Sequence, residues 1–155
     1  LWSFWSWIIF FVINNTVWIS GSRGFVGSYV KKSLLDSGYI LRCVSNIHSQ
    51  DDSIIFIDYS DKDSIREAVE NHGIPHTFIH LGWGNVYDPH HKCHLNENLQ
   101  NGINLIDQLY ECGVQKFLLI GSSSEYGDRV GRLKEHFSPS GELNNYIKGK
   151  RALSK

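Results

Sequence analysis

A chain of 155 residues with 41% hydrophobic and 20% charged content is one ordinary domain, long enough to bury a core. Its formal net charge of −1 excludes recruitment of nucleic acid or an anionic membrane by bulk electrostatics. The three cysteines, Cys43, Cys93 and Cys112, are odd in number and share no paired spacing, so the chain reads as a reduced, cytoplasmic protein rather than a disulfide scaffold.

The first thirteen residues, LWSFWSWIIFFVI, are apolar and aromatic. A membrane anchor or secretory signal is the first idea such a run raises. A spanning helix needs about 20 apolar residues, whereas this run gives way to Asn14-Asn15-Thr16. No basic stretch precedes it and no small-residue cleavage pattern follows. Residues 1–15 therefore read as an atypical apolar extension, foreign to the fold, with membrane contact through residues 1–13 kept as the alternative. The lack of methionine and the start at Leu1 point to something other than a complete natural reading frame.

Residues 16–20 (TVWIS) form a β-rich run that ends at a glycine loop. A helix is predicted over 25–37, with Phe25, Val26, Tyr29, Val30, Leu34 and Leu35 on core-facing spacing and Gly38 as its stop. Strands follow at 39–45 and 54–58. Residues 61–72 start at an Asp or Ser cap, carry Ile65, Ala68 and Val69 as an inner stripe, and end at Gly73-Ile74-Pro75. A fourth strand is expected at 77–81. After a loop comes a long helix over 95–112, with Leu95, Leu99, Ile103, Ile106, Leu109 and Tyr110 inward and Gly113 as its stop. A fifth strand, 116–120, and a helix from Asn145 to Lys155 complete the chain. Short apolar strands alternating with helices make a doubly wound, parallel α/β sheet of the Rossmann type.

Gly21-Ser22-Arg23-Gly24-Phe25-Val26-Gly27 sits where the first strand turns into the first helix. Glycines there let the backbone turn sharply and approach a ligand, and a helix N-terminus offers free N–H groups to a phosphate. Strand, loop and helix in that order make this a dinucleotide or phosphate cradle rather than an ordinary turn.

The G-x-x-G-F-V-G spacing resembles the extended short-chain dehydrogenase/reductase family, which includes nucleotide-sugar epimerases, dehydratases and ketoreductases. Further segments over residues 16–155 match in the same order. Asp58, with its neighbour Tyr59, closes the third strand like the family's acidic residue at the adenine. His80-Leu81-Gly82-Trp83-Gly84 is similar to the segment lying along the cofactor. Gly121-Ser122-Ser123-Ser124-Glu125-Tyr126-Gly127 resembles the fifth-strand motif, and Tyr146-Ile147-Lys148-Gly149-Lys150 matches Tyr-x-x-x-Lys.

Tyr146 and Lys150 are four residues apart, hence on one face of a helix. A phenol that ordinarily ionises near pH 10 becomes a usable acid/base beside an ammonium and a positive nicotinamide ring. The resemblance implies that Tyr146 exchanges a proton with the substrate oxygen, Lys150 tunes it and holds the nicotinamide ribose, and Ser122 orients that oxygen. Family dehydratases carry Asp-Glu directly after the catalytic Ser/Thr. Ser123 and Ser124 stand there instead, which favours a reductase or epimerase of a nucleotide-linked 4-keto sugar. The rival reading is a non-catalytic NAD(P)-binding protein or an inactive fragment.

The cofactor-binding residues expected are Gly21, Ser22, Arg23, Gly24, Phe25, Val26, Gly27, Ser45, Asn46, Asp58, Tyr59, Leu81, Gly82, Trp83, Tyr146 and Lys150. An acidic residue after the second strand would favour NAD, a basic one NADP. Ser45-Asn46, with Arg23 nearby in the loop, commits to neither. No metal is expected: His90-His91-Lys92-Cys93-His94 fits no zinc spacing and reads as a solvated, substrate-side loop, and His80 as a core histidine. Family members continue well past Tyr-x-x-x-Lys into a substrate domain that would be missing here. They often pair through the long helix and the Tyr-Lys helix, so a homodimer is implied.

Overall fold

The computed structural model describes residues 15–154. The apolar run at 1–13 and Lys155 lie outside the described residues. Five strands are all parallel: β1 (Thr16–Ser20), β2 (Ile40–Ser45), β3 (Ile54–Phe56), β4 (Thr77–His80) and β5 (Lys116–Leu119). Their order is β3-β2-β1-β4-β5, so the chain reverses its winding direction at β1 and opens a crevice between the ends of β1 and β4. The Rossmann-type expectation holds.

Four α-helices connect or follow them: α1 (Phe25–Asp36), α2 (Lys62–His72), α3 (Gln100–Glu111) and α4 (Asn145–Leu153). Alternation along β1 divides the core. Trp18 packs with Val44, Phe78, Ile65, Val69, Leu105 and Leu109 on the face covered by α2 and α3. Val17 and Ile19 pack with Cys43 and Ile79 under Val30 and Leu34 of α1. Each large aliphatic or aromatic side chain buried in this way contributes about 1.5–3 kcal/mol.

The sequence places α2 well. Asp61 caps it by accepting from the Asp63 N–H, and Ile65, Ala68 and Val69 are its buried residues. The other two long helices need correction. In α1, Phe25, Val26, Tyr29 and Leu35 are exposed, and only Val30 and Leu34 of the expected stripe touch the sheet. In α3 the buried positions are Gly102, Leu105, Gln108 and Leu109, while Ile103 and Tyr110 are exposed. The cause lies just upstream. His94–Leu99 is π-helical, and its wider turn takes up an extra residue, so a periodicity projected from Leu95 and Leu99 arrives one position out of phase.

Asp58 lies beyond the end of β3 rather than closing it. Among the described residues no helix is long and apolar enough to cross a membrane, and Cys43, Cys93 and Cys112 are free thiols.

Candidate active site

The glycine loop is dictated by backbone crowding. Gly21 has φ of +72°, and a Cβ there would stand 2.6 Å from the Gly82 nitrogen, so the turns leaving β1 and β4 touch backbone to backbone. The Gly24 N–H donates to the Gly21 carbonyl at 3.0 Å, closing the turn that feeds α1. A Cβ on Gly27 would stand 2.0 Å from the Gly21 oxygen. Gly24 precedes α1 without any side-chain cap, which leaves the first turn's N–H groups to an anion.

Around this loop opens a cleft of about 520 Å³. Gly21, Ser22, Arg23, Gly24, Ser45, Asn46, Tyr59, Leu81, Gly82 and Trp83 of the expected set line it. Phe25, Val26, Gly27, Asp58, Tyr146 and Lys150 do not. Phe25 and Val26 turn outward, and Gly27 acts by staying small. Asp58 spends its carboxylate on the Ser60 N–H and hydroxyl, which hold its pKa below the usual carboxylate range. The cleft wall also holds His80, Glu97, Asn98, Asn101 and Gly102. A pyrophosphate fits the cradle, because only a side-chain-free backbone and an uncapped helix start surround it.

At the crevice itself, Ser20 and His80 are register partners on β1 and β4. The Ser20 hydroxyl lies 2.8 Å from His80 Nδ1 and accepts from the Gly82 N–H at 3.2 Å. Burial, with a smaller contribution from the charge of Lys150, pushes the His80 imidazole down to about 4. His80 is the core histidine the sequence implied.

Tyr146 and Lys150, one turn apart on α4, both meet Trp83 from the cleft wall. The Lys150 ammonium lies 4.7 Å from the Trp83 ring centroid, and the Tyr146 ring stands edge-on to it at 6.2 Å. Lys150 is buried and donates to the Ile120 carbonyl. Desolvation lowers its pKa, while Glu125 works against that shift. That bond ties α4 to the end of β5, two residues before Ser122.

Ser122 caps a 3₁₀ turn, Ser123–Tyr126, in a capping box. Its hydroxyl oxygen accepts from the Ser124 N–H, and Glu125 accepts from the Ser122 N–H at 2.7 Å. It opens on a smaller cleft, about 280 Å³, shared with Glu125, Tyr126, Glu135, Phe137 and Arg151. The structure thus brings Tyr146 and Lys150 together at Trp83 and places Ser122 on the adjoining turn.

The histidine-rich segment departs from the solvated loop expected of it. His94 is fully buried and Cys93 nearly so. The His94 ring accepts from Trp83 and stacks in the same plane. The sequence signal for this is the i, i+4 pair His94 and Asn98, downstream of an otherwise unexplained tryptophan. Among the described residues no cluster of three His, Cys, Asp or Glu side chains is arranged to hold a metal.

The sequence profile of the NAD dependent epimerase/dehydratase family matches residues 17–155. The chain belongs to that family. Solved structures agree in fold. The UDP-glucose 4-epimerase of Thermotoga maritima, solved with UDP-glucose, is 20% identical with a TM-score of 0.68 over 89% of this chain and 48% of its own. The Thermus thermophilus UDP-glucose 4-epimerase, solved with NAD, is 23% identical with a TM-score of 0.69, covering 90% and 48%. The UDP-Glc/GlcNAc 4-epimerase of Campylobacter jejuni is 20% identical with a TM-score of 0.72, covering 90% and 46%. This chain therefore spans about half the length of the structures it resembles. No curated protein matches it in sequence.

Proposed function

We propose that the chain is the dinucleotide-binding part of an NAD(P)-dependent enzyme that epimerises or reduces a nucleotide-linked 4-keto sugar. One observation carries the reading: Tyr146 and Lys150 converge on Trp83, which itself lines the glycine-loop cleft. A protein that only held a dinucleotide would have no use for a phenol and a buried ammonium at that point.

The bound nicotinamide supplies the site that accepts or donates hydride. The chain's own residues do the rest. The first turn of α1, entered through Gly21 and Gly24, holds the pyrophosphate. Ser45, Asn46 and Arg23 line the part of the cleft entered from β2, where a ribose is recognised in such folds. Tyr146 passes its phenolic proton to the sugar oxygen, or takes one from it. The Lys150 charge stabilises the phenolate left behind. Ser122 presents its hydroxyl from the capped turn as the second contact to that oxygen.

Ser123 and Ser124 supply no acid or base for loss of water, which argues against a dehydratase. Pairing through α3 and α4 would cover Ile103 and Tyr110, left exposed on α3.

The test combines dinucleotide titration with turnover of a nucleotide-linked 4-keto hexose. Tyr146→Phe is expected to cut turnover by about 10²-fold or more, with the dinucleotide Kd within about threefold of wild type. Full turnover in that variant would refute the assignment. Tight dinucleotide binding with no turnover of any nucleotide sugar by the wild type would support the non-catalytic alternative.

A further inference from the structure

We infer that His94 is a positioning residue: together with Trp83 it forms a flat platform on which Tyr146 and Lys150 are set. This rests on the assignment of Tyr146 and Lys150 to the chemistry, and it concerns a side chain that touches neither substrate nor dinucleotide in that assignment.

Hydrogen bonding fixes the His94 ring. Its Nδ1 faces two groups that can only donate, the Trp83 Nε1–H at 3.0 Å and the Asn98 Nδ2–H at 3.3 Å. Nδ1 must therefore accept, and the ring proton sits on Nε2, which donates to the Asp88 carbonyl at 2.9 Å. Asn98 is itself oriented by a reciprocal pair with the Gly84 backbone, donating at 2.9 Å and accepting at 3.1 Å. The bond to Trp83 lies in the ring planes, which are only 15° apart.

The two rings thus form one continuous surface. The Tyr146 ring stands edge-on to both, at 78° to His94 and 88° to Trp83, and Lys150 lies over the indole. Gly149 shows how closely α4 presses on this surface. A Cβ there would stand 2.6 Å from the His94 carbonyl oxygen and 3.0 Å from Trp83 Cζ2. The indole also lines the cleft, so a rotation of Trp83 would move both the wall and the seat of Lys150.

Three variants test the platform. His94→Phe keeps a buried ring but offers Trp83 no acceptor. His94→Gln restores one, its carbonyl facing Trp83 and its amide facing Asp88. Trp83→Phe keeps an aromatic surface and deletes only the N–H donor. The first readout needs no turnover: competitive acetylation across a pH series, followed by peptide mass spectrometry at Lys150. His94→Phe and Trp83→Phe should each move the Lys150 labelling profile to higher pH as water reaches the ammonium, and His94→Gln should return it toward wild type. The second readout is the split between kcat and KM. His94→Phe should lower kcat by about tenfold or more with the dinucleotide KM held within about threefold, and His94→Gln should recover most of that loss. The double variant should be no worse than the poorer single one.

An unmoved labelling profile in both His94→Phe and Trp83→Phe overturns the inference, as does a loss that His94→Gln fails to repair. If His94→Phe does not fold, Trp83→Phe alone decides the point through the same profile. A profile that moves and is repaired, in a wild type that converts no nucleotide sugar, upholds the platform while removing the enzymatic reading.

Discussion

Gly27 lies against the carbonyl oxygen of Gly21 so closely that a Cβ would come within 2.0 Å of it, whereas a Cβ on Gly24 would stand 3.3 Å from the same atom. The two loop glycines therefore have different tolerances. Gly27→Ala should destabilise the fold by about 2–4 kcal/mol, because helix and loop cannot both keep their places. Gly24→Ala, at φ of −72°, should cost under about 1 kcal/mol. Urea unfolding compares them, and dinucleotide titration should show binding lost in the first and weakened in the second.

His80 gives stability a pH dependence of predictable sign. Its folded imidazole ionises at about 4, below the unfolded value of about 6.5, so between those limits the unfolded chain binds more protons. The contribution is fully present above pH 6.5 and is lost as pH falls toward 4. Lowering the pH from 8 to 5 should remove about 2 kcal/mol through this residue. Unfolding at both pH values in wild type and His80→Asn measures it, and the variant should show a correspondingly shallower dependence.

Choice of dinucleotide should respond to one residue after β2. Ser45 is turned inward, its hydroxyl shared between the Ile47 carbonyl and the Ile47 N–H, which leaves Asn46 exposed on the cleft wall near Arg23. A carboxylate at that position accepts from a ribose hydroxyl and repels a 2′-phosphate. Asn46→Asp should shift the ratio of NADH to NADPH affinity toward NADH by about tenfold. Fluorescence titration with both reduced dinucleotides reads the ratio directly.

Gln108 is buried under the sheet with its side-chain oxygen lacking a hydrogen-bond partner. Gln108→Met keeps the length and removes the orphaned acceptor. A gain of about 1 kcal/mol is expected in urea unfolding, and equal or lower stability would show the amide to be better satisfied than its geometry implies.

How much of this was legible in the sequence depended on how local its cause was. The cap at Asp61 and the stripe Ile65, Ala68 and Val69 follow from neighbours within one helix, and they hold. The glycine loop is equally local, since its crowding arises within seven residues and the turn after β4. The face of α3 was not legible, because a π-helical turn leaves the apolar pattern unchanged while altering its phase. Burial of His94 also depends on remote partners, an indole eleven residues upstream and a helix more than fifty downstream. Phe25 and Tyr29 stack on each other and face outward; counting apolar spacing assigned them to the sheet because it cannot tell which of two apolar rows the sheet will touch.

The π-helical segment makes the site sensitive to length rather than to composition. Deleting one residue between His94 and Leu99 would let the helix relax to ordinary winding and would turn everything before the deletion by about 100° relative to α3. The imidazole would swing off the indole, and the loop that meets the start of α4 through the Pro89 carbonyl and the Tyr146 N–H would be pulled with it. A helix of regular geometry would thus disassemble the seat of Tyr146 without changing any residue of that seat.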